Sequence, residues 1–187
     1  MMNNDFIEAF LKPVFYKKES ADVAFCIRNK MYSYSQLYDA VEQIWYLIKD
    51  LPEDLIGLYA TDDLRTYASI IALWTCGKTY IPLNPKQPKE RHIEVIESVG
   101  ADYILSADEK YDIDVEGANI VSTKDVLLDG YIRKGNIEIA NVPESTLAYI
   151  IFTSGSTGKP KGVPITRSNV ATFIDSMNHV EGLNITA

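Results

Sequence analysis

Short apolar runs along the chain are separated by longer segments in which apolar residues recur with helical spacing. A short apolar run bounded by acidic or turn-forming residues is typical of a buried strand. Alternation of such strands with helices is typical of a mainly parallel β-sheet, because parallel strands need long crossover connections. The runs that predict strands are Leu55 to Ala60, Thr79 to Leu83, Tyr103 to Leu105, Asn119 to Val121 and Leu147 to Phe152.

The helices are predicted from apolar spacing and from the residues at their ends. Ser35 precedes an apolar series that starts at Leu37 and is expected to cap that helix. A second helix is predicted from about Leu64 to Cys76, with Asp62 or Asp63 as its cap. The apolar series of the first helix is Leu37, Val41, Ile44 and Ile48.

Further helices are predicted later in the chain. Pro88 is expected at the first position of one helix and Gly100 at its end. A brief helix is predicted near Lys124 to Asp129, and residues 130–146 are interpreted as a connecting excursion. A last helix is predicted from Arg167, with one face formed by Val170, Phe173, Ile174 and Met177.

These elements predict one α/β domain whose mainly parallel sheet is flanked by helices on both faces.

The excess of acidic over basic residues narrows the classes of partner that the chain could bind. The sequence holds 18 lysine and arginine residues against 26 aspartate and glutamate residues, a formal net charge of −8 over 187 residues. This balance argues against a nucleic-acid partner, since a phosphate backbone needs a dense basic face. A small anionic ligand is still compatible with this net charge, because it needs only a local cluster of positive side chains.

Cysteine usage and hydropathy predict a soluble cytoplasmic protein. Cys26 and Cys76 form no C-x-x-C pair and are expected to be buried thiols in a reducing compartment. The N-terminal segment is too polar for a signal peptide, and Tyr67 to Leu83 is too short to span a bilayer. His92 and His179 stand alone and are expected at surface or helix-end positions, so no metal site is predicted.

The composition changes abruptly after the last predicted strand. Thr153 to Gly162 reads TSGSTGKPKG, with four hydroxyls, three glycines and two lysines in ten residues. No acidic residue occurs from Leu147 to Ile174. Lys159 and Lys161, with Arg167, are expected to supply the local reversal of charge.

This composition suits the capture of phosphate groups. Glycines permit positive φ, so that successive backbone N–H groups can point at one cluster of oxygens. Hydroxyl donors add short hydrogen bonds, and ammonium groups offset the phosphate charge. A solvated Gly/Ser surface loop is the alternative, but this segment follows a buried strand and carries no acidic residue. The predicted phosphate-binding residues are Thr153, Ser154, Gly155, Ser156, Thr157, Gly158, Lys159 and Lys161.

Neither common nucleotide motif explains the segment. The Walker pattern G-x-x-x-x-G-K-[ST] requires a second glycine where this chain has Pro160 or Val163. The dinucleotide pattern G-x-G-x-x-G fails because Thr157 stands where a glycine is needed.

The segment resembles the phosphate loop of the adenylate-forming (AMP-binding) superfamily. Thr153 to Gly162 matches each position of that family's core, T-S-G-[ST]-T-G-x-P-K-G, after an apolar strand. Tyr34 to Leu37 resembles the family's early Tyr-x-x-Leu segment, and Leu73 to Leu83, LWTCGKTYIPL, resembles the segment that ends in Tyr-[Val/Ile]-Pro-Leu. The residues that follow as in the amino-acid-activating branch are Pro88, Glu90, Arg91 and Ile93.

The sequence is most similar to one branch of the family, and it differs from the family pattern at two positions. The continuation GVPITRSNVATFIDSM, from Gly162 to Met177, looks most similar to D-alanine–carrier protein ligases. The family often has Asp where this chain has Asn84, and often Tyr where it has Phe152. Neither departure touches the phosphate-binding residues.

The resemblance implies a two-step reaction. In the family, a carboxylate attacks the α-phosphate of ATP, pyrophosphate leaves, and the acyl group of the adenylate then passes to a thiol. That thiol belongs to coenzyme A or to the phosphopantetheine arm of a carrier protein, and Mg²⁺ accompanies ATP. Thr153 and Ser154 would contact phosphate oxygens, while Lys159 and Lys161 would act electrostatically.

The implied function is therefore activation of a carboxylate, expected to be an amino acid, with D-alanine as the candidate. Three alternatives stay open. One is an acyl-CoA synthetase for a fatty or aryl acid, and another is a kinase-like NTPase with an atypical loop. The third is a non-catalytic nucleotide-binding or scaffold relative.

The family's adenine-contacting segment, magnesium-binding glutamate, ribose-binding aspartate and late catalytic lysine all lie beyond the position that corresponds to Ala187. Residues 1–187 are therefore expected to be a truncated N-terminal portion of the AMP-binding domain, with no second domain and no identifiable catalytic residue. The purified 187-residue chain is predicted to show no carboxylate-dependent ATP–pyrophosphate exchange. Exchange of labelled pyrophosphate above the protein-free blank would contradict this.

Overall fold

The computed structural model of the chain describes residues 5–115, 117–135, 137–154 and 160–178. Helices and strands alternate through most of these ranges. In chain order the elements are a π-helical turn (Ile7–Leu11), α1 (Lys12–Tyr16), β1 (Val23–Ile27), β2 (Lys30–Ser33), α2 (Tyr34–Ile48), β3 (Leu55–Tyr59), α3 (Leu64–Thr75), β4 (Thr79–Leu83), α4 (Lys89–Val99), β5 (Tyr103–Ser106), β6 (Asn119–Ser122), β7 (Leu147–Ser154), β8 (Pro160–Thr166) and α5 (Arg167–Asn178).

Six of the strands form the central sheet, in the order β6-β5-β3-β4-β7-β8. β3 pairs in parallel with β4 and β5, β4 pairs in parallel with β7, and β5 with β6. Only β8 among these six runs antiparallel to its neighbour, β7. β1 and β2 form a separate antiparallel hairpin. The predicted α/β fold with a mainly parallel sheet is confirmed.

Helices cover both faces of this sheet, as predicted. The connection from β3 to β4 and the connection from β4 to β5 step in opposite directions, so right-handed crossovers carry α3 and α4 to opposite faces. Ile56 and Leu58 of β3 belong to the core that contains α2 and α3. Ile81 and Leu83 of β4 belong to a second core with Ile96 of α4. No helix in the described ranges is long and apolar enough to cross a membrane.

The first long helix starts two residues earlier than predicted. Ser33, not Ser35, is the N-cap of α2: its hydroxyl accepts from the Gln36 N–H at 3.2 Å. The Gln36 side chain in turn accepts from the Ser33 N–H at 2.9 Å, which completes a capping box. The prediction of Ser35 was wrong because two serines flank Tyr34 and only the first has a glutamine three residues later.

The ends of α3 and α4 follow their predicted signals closely. Asp63 caps α3 by accepting from the Arg65 N–H at 2.9 Å. Gly100 ends α4 in the left-handed conformation, at φ 63°. Pro88 is the N-cap of α4 rather than its first residue, so the helix begins at Lys89.

The short helix predicted near Lys124 to Asp129 is wrong, since these residues form turns and irregular structure. The side-chain amide of Gln43, on α2, donates to the carbonyl of Leu127 at 2.8 Å and accepts from its N–H at 2.9 Å. Arg65 donates to the neighbouring carbonyl of Val126 at 3.1 Å. These bonds occupy the backbone groups that a helix would need for its own ladder.

Three burial predictions also need correction. Cys26 is exposed rather than buried, and its cross-strand partner in the β1–β2 hairpin, Met31, is 68% exposed as well. Ile151 of β7 is 43% exposed, so this strand is not buried on both faces. Its partner across the hairpin on β8, Val163, is 42% exposed, so the face that carries these two side chains is open. Phe173 of α5 is 60% exposed.

The predicted excursion at residues 130–146 lies against α2 and is held there by polar contacts. Glu42 is fully buried, and its carboxylate accepts from the N–H groups of Lys134 at 2.9 Å and Gly135 at 3.0 Å. The hydroxyl of Tyr46, one turn later, donates to the carbonyl of Gly135 at 2.8 Å. Side chains of α2 therefore replace the backbone partners that this non-repetitive segment lacks.

Glu42→Ala should lower the free energy of unfolding by about 2 to 4 kcal/mol, because it leaves two backbone N–H groups without their charged acceptor. Urea denaturation measures this change. Glu138→Ala is the matched control, since Glu138 is an exposed carboxylate of the same excursion and should change stability by less than about 0.5 kcal/mol. A Glu42→Ala protein as stable as the control variant would contradict the anchoring role.

Candidate functional site

The carboxyl ends of the parallel strands gather at one edge of the sheet. β3 ends at Tyr59, β4 at Leu83, β5 at Ser106 and β7 at Ser154, and their parallel pairing brings these ends to the same side. In open α/β sheets this edge is where ligands bind, because loops rather than core side chains occupy it. The predicted phosphate segment starts here.

The predicted segment proves to be the end of a β-hairpin. Thr153 and Ser154 are the last residues of β7, and Thr153 lies opposite Lys161 of β8. The Thr153 hydroxyl donates to the carbonyl of Lys161 at 3.4 Å, and both residues are exposed. The predicted site residues Gly155, Ser156, Thr157, Gly158 and Lys159 lie outside the described residues.

Gly162 has a different role from the one predicted for the glycines. It lies within β8 and does not have positive φ. A Cβ atom at this position would lie 3.0 Å from the ring of Phe152, its cross-strand partner, and 3.1 Å from Ile150. The glycine therefore gives the side chains of β7 room to pack over β8.

A cation that the sequence analysis did not assign to the site contacts the hairpin. Arg91 lies in the first turn of α4, and its Nη2 donates to the carbonyl of Thr153 at 3.0 Å. Its Nη1 donates to Glu94 at 3.1 Å. The only signal in the sequence was a cation at the start of the helix that follows β4. Its position beside the hairpin follows from the pairing of β4 with β7.

Arg167 was expected among the cations of the site, and this expectation is wrong. It follows Thr166, which lies opposite Leu147 at the other end of the hairpin, about 20 Å from Thr153 at the usual rise per strand residue. Its guanidinium is fully buried and donates to the carbonyl of Trp74 at 2.8 Å. Burial lowers the pKa of this group to about 10, so it stays charged near neutral pH.

The match to known proteins covers the hairpin and the helix beside it. The profile of the family described as AMP-binding enzyme matches residues 15–186. The chain belongs to this AMP-binding enzyme family. The match confirms the resemblance to the N-terminal part of the adenylate-forming superfamily, and the relatives below are peptide synthetases rather than D-alanine–carrier protein ligases.

Two relatives and one solved structure define the extent of the likeness. Bacitracin synthase 2 of Bacillus licheniformis is 27% identical over 163 residues, which are 86% of this chain and 6% of that protein. Ferrichrome siderophore peptide synthetase of Mycosarcoma maydis is 31% identical over 153 residues, 81% of this chain and 4% of that protein. The N-terminal subdomain of Klebsiella oxytoca NpsA has a similar fold, with a TM-score of 0.69 at 23% identity over 86% of this chain and 43% of that one.

The chain thus spans a small fraction of these curated relatives and less than half of the solved subdomain. Within the described residues, no group of three His, Cys, Asp or Glu side chains could hold a metal ion. The candidate site is the β7–β8 hairpin with the first turn of α4 beside it.

His92, next to Arg91, is buried rather than at the surface and anchors the same turn of α4. Its Nε2 lies 3.0 Å from the carbonyl of Asn84, which can only accept, so Nε2 carries the proton. Its Nδ1 accepts from the hydroxyl of Tyr111 at 3.2 Å, and the Tyr111 ring stacks on Tyr59 at 3.8 Å between centroids. Burial lowers the pKa of His92, and the Asn84 carbonyl opposes this only in part.

The lowered pKa of His92 predicts a loss of stability in mild acid. The unfolded chain, whose histidine pKa is near 6.5, binds a proton before the folded chain does. The free energy of unfolding should therefore be fully maintained above about pH 6.5 and fall as the pH drops below it towards the folded-state pKa. Urea titrations of the chain at pH 7.5 and 5.5 measure the effect.

The matched variants are His92→Gln and His179→Gln. The first should remove most of the stability difference between the two pH values, and the second should keep it. An unchanged difference in the His92→Gln protein would show that other groups cause it.

Proposed function

We propose that this chain carries the triphosphate-binding part of an ATP-dependent enzyme that activates a carboxylate as an acyl-adenylate. The observation that supports this most directly is the hairpin at the carboxyl edge of the sheet, where Thr153 and Lys161 lie side by side on β7 and β8. Residues 153–162 carry two lysines and four hydroxyls without a carboxylate, in a chain of net charge −8.

The proposed contribution of the chain's residues is to bind and orient the β- and γ-phosphates. When a substrate carboxylate oxygen attacks the α-phosphorus, the bond to the bridging oxygen breaks and pyrophosphate leaves with additional negative charge. Lys159 and Lys161 would stabilise that charge, while Thr153, Ser154 and the backbone N–H groups from 155 to 158 would donate to phosphate oxygens. Mg²⁺ would arrive bound to the phosphates of ATP.

An amino acid is the proposed substrate class, because the relatives found are peptide synthetases. D-alanine is the member that the sequence after Gly162 favours. The proposed acceptor is the phosphopantetheine thiol of a carrier protein, with coenzyme A as the alternative for a fatty or aryl acid. Pyrophosphate exchange by the natural protein that contains this chain, against amino acids including D-alanine and against fatty acids, separates these substrates.

Titration of the ¹⁵N-labelled chain with inorganic tripolyphosphate tests the phosphate site without requiring the rest of an active site. Tripolyphosphate and ATP should shift the amide resonances of Thr153, Ser154, Lys161 and Gly162, and adenosine should not. Lys161→Ala should weaken tripolyphosphate binding about tenfold, since it removes a charge-assisted contact.

Lys30→Ala is the control for this titration, because Lys30 is an exposed lysine on the separate β1–β2 hairpin. It should leave the affinity unchanged within about twofold. Absence of any shift in residues 153–162 at saturating tripolyphosphate, or equal losses in the two variants, would contradict the proposed function.

A further inference from the structure

The guanidinium of Arg91 connects α4 to the first residue of the proposed phosphate site. Its side chain is only 17% exposed, and its two terminal nitrogens point to different partners. Nη2 donates to the Thr153 carbonyl at 3.0 Å, and Nη1 donates to Glu94, three residues later in the same helix, at 3.1 Å. These two hydrogen bonds fix the orientation of the planar guanidinium, because Nη1 is bonded within α4 and Nη2 is bonded to β7.

Thr153 is held on two sides as a result. Its carbonyl accepts from α4 through Arg91, and its hydroxyl donates to the carbonyl of Lys161 on β8. The position of Thr153 in the hairpin therefore depends on both α4 and β8. A change in the Arg91 contact would move the start of the phosphate site relative to the helix.

The helix that carries Arg91 is itself firmly placed. Ile96 of α4 packs so closely on β3 that a Cβ atom at Gly57 would lie 2.9 Å from its Cδ1. His92 fixes the first turn through the Asn84 carbonyl and the Tyr111 hydroxyl. Arg91 therefore projects from a rigid support, which is the condition for holding another segment in place.

We infer that Arg91 is a positioning residue for triphosphate binding: it fixes the Thr153 main chain so that the donors of the hairpin face one phosphate cluster. This rests on the proposed function and adds a residue to it. The role depends on the direction of the guanidinium fork and not only on its charge. A lysine would keep the charge but could not make both directed bonds.

The test compares Arg91→Lys, Arg91→Gln and the matched control Lys89→Gln. Lys89 is an exposed cation in the same first turn, so its loss reports the effect of charge alone. Tripolyphosphate affinity should fall about fivefold in both Arg91 variants, less than in Lys161→Ala because Arg91 acts through Thr153 and not on the phosphate itself, and stay within about twofold of wild type in Lys89→Gln.

Hydrogen exchange provides a second measurement that separates positioning from a general loss of stability. In both Arg91 variants, exchange should become faster in peptides that cover residues 147–166 and stay unchanged in peptides that cover β3 and β4. Faster exchange throughout the chain would overturn the inference, because Arg91 would then stabilise the whole fold and not the hairpin in particular.

Each result of the binding experiment decides between the two proposals. If Arg91→Lys binds tripolyphosphate as tightly as wild type, or if Lys89→Gln loses as much affinity as Arg91→Gln, charge alone accounts for the effect and the inference is wrong. If wild type binds but all variants match it, Arg91 has no role and the proposed function stands. If wild type itself binds no tripolyphosphate, the proposed function fails and the inference falls with it.

Discussion

The pairing of β4 with β7 is the constraint on which the site depends. It brings two segments that are far apart in sequence to the same edge of the sheet: the first turn of α4 and the end of the β7–β8 hairpin. Parallel pairing makes both strands end on the same side, so that Arg91 and Thr153 come within hydrogen-bond distance. This contact brings the guanidinium of Arg91 to the strand residue that lies opposite Lys161 of β8.

The parts of the fold that sequence predicts well are those with strong local signals. The runs Leu55 to Ala60 and Thr79 to Leu83 are apolar and sharply bounded, and both are strands within one residue of the prediction. Asp63 and Gly100 act as helix ends because capping and the left-handed conformation depend on few neighbouring residues. The α/β class follows from the alternation of these elements.

The errors at residues 124–129 and at Arg167 arise where long-range partners override local signals. The side chain of Gln43 takes both backbone groups of Leu127, so a segment with helical composition does not form a helix. Arg167 follows the loop closely in sequence, yet β8 carries it to the opposite end of the hairpin and into the core. Arg91 lies at the site because β4 pairs with β7. The spacing of apolar residues along the chain does not reveal this strand order. The composition of residues 153–162 predicts phosphate binding, but not the neighbours that would orient it.

The proposed function requires the hairpin of β7 and β8 to bind the triphosphate of a nucleotide. A crystal structure of the protein grown with a non-hydrolysable ATP analogue tests this. Density for the β- and γ-phosphates should lie within hydrogen-bond distance of Thr153 and of Lys161. Density for the triphosphate at another part of the molecule, with the hairpin unliganded, would contradict it.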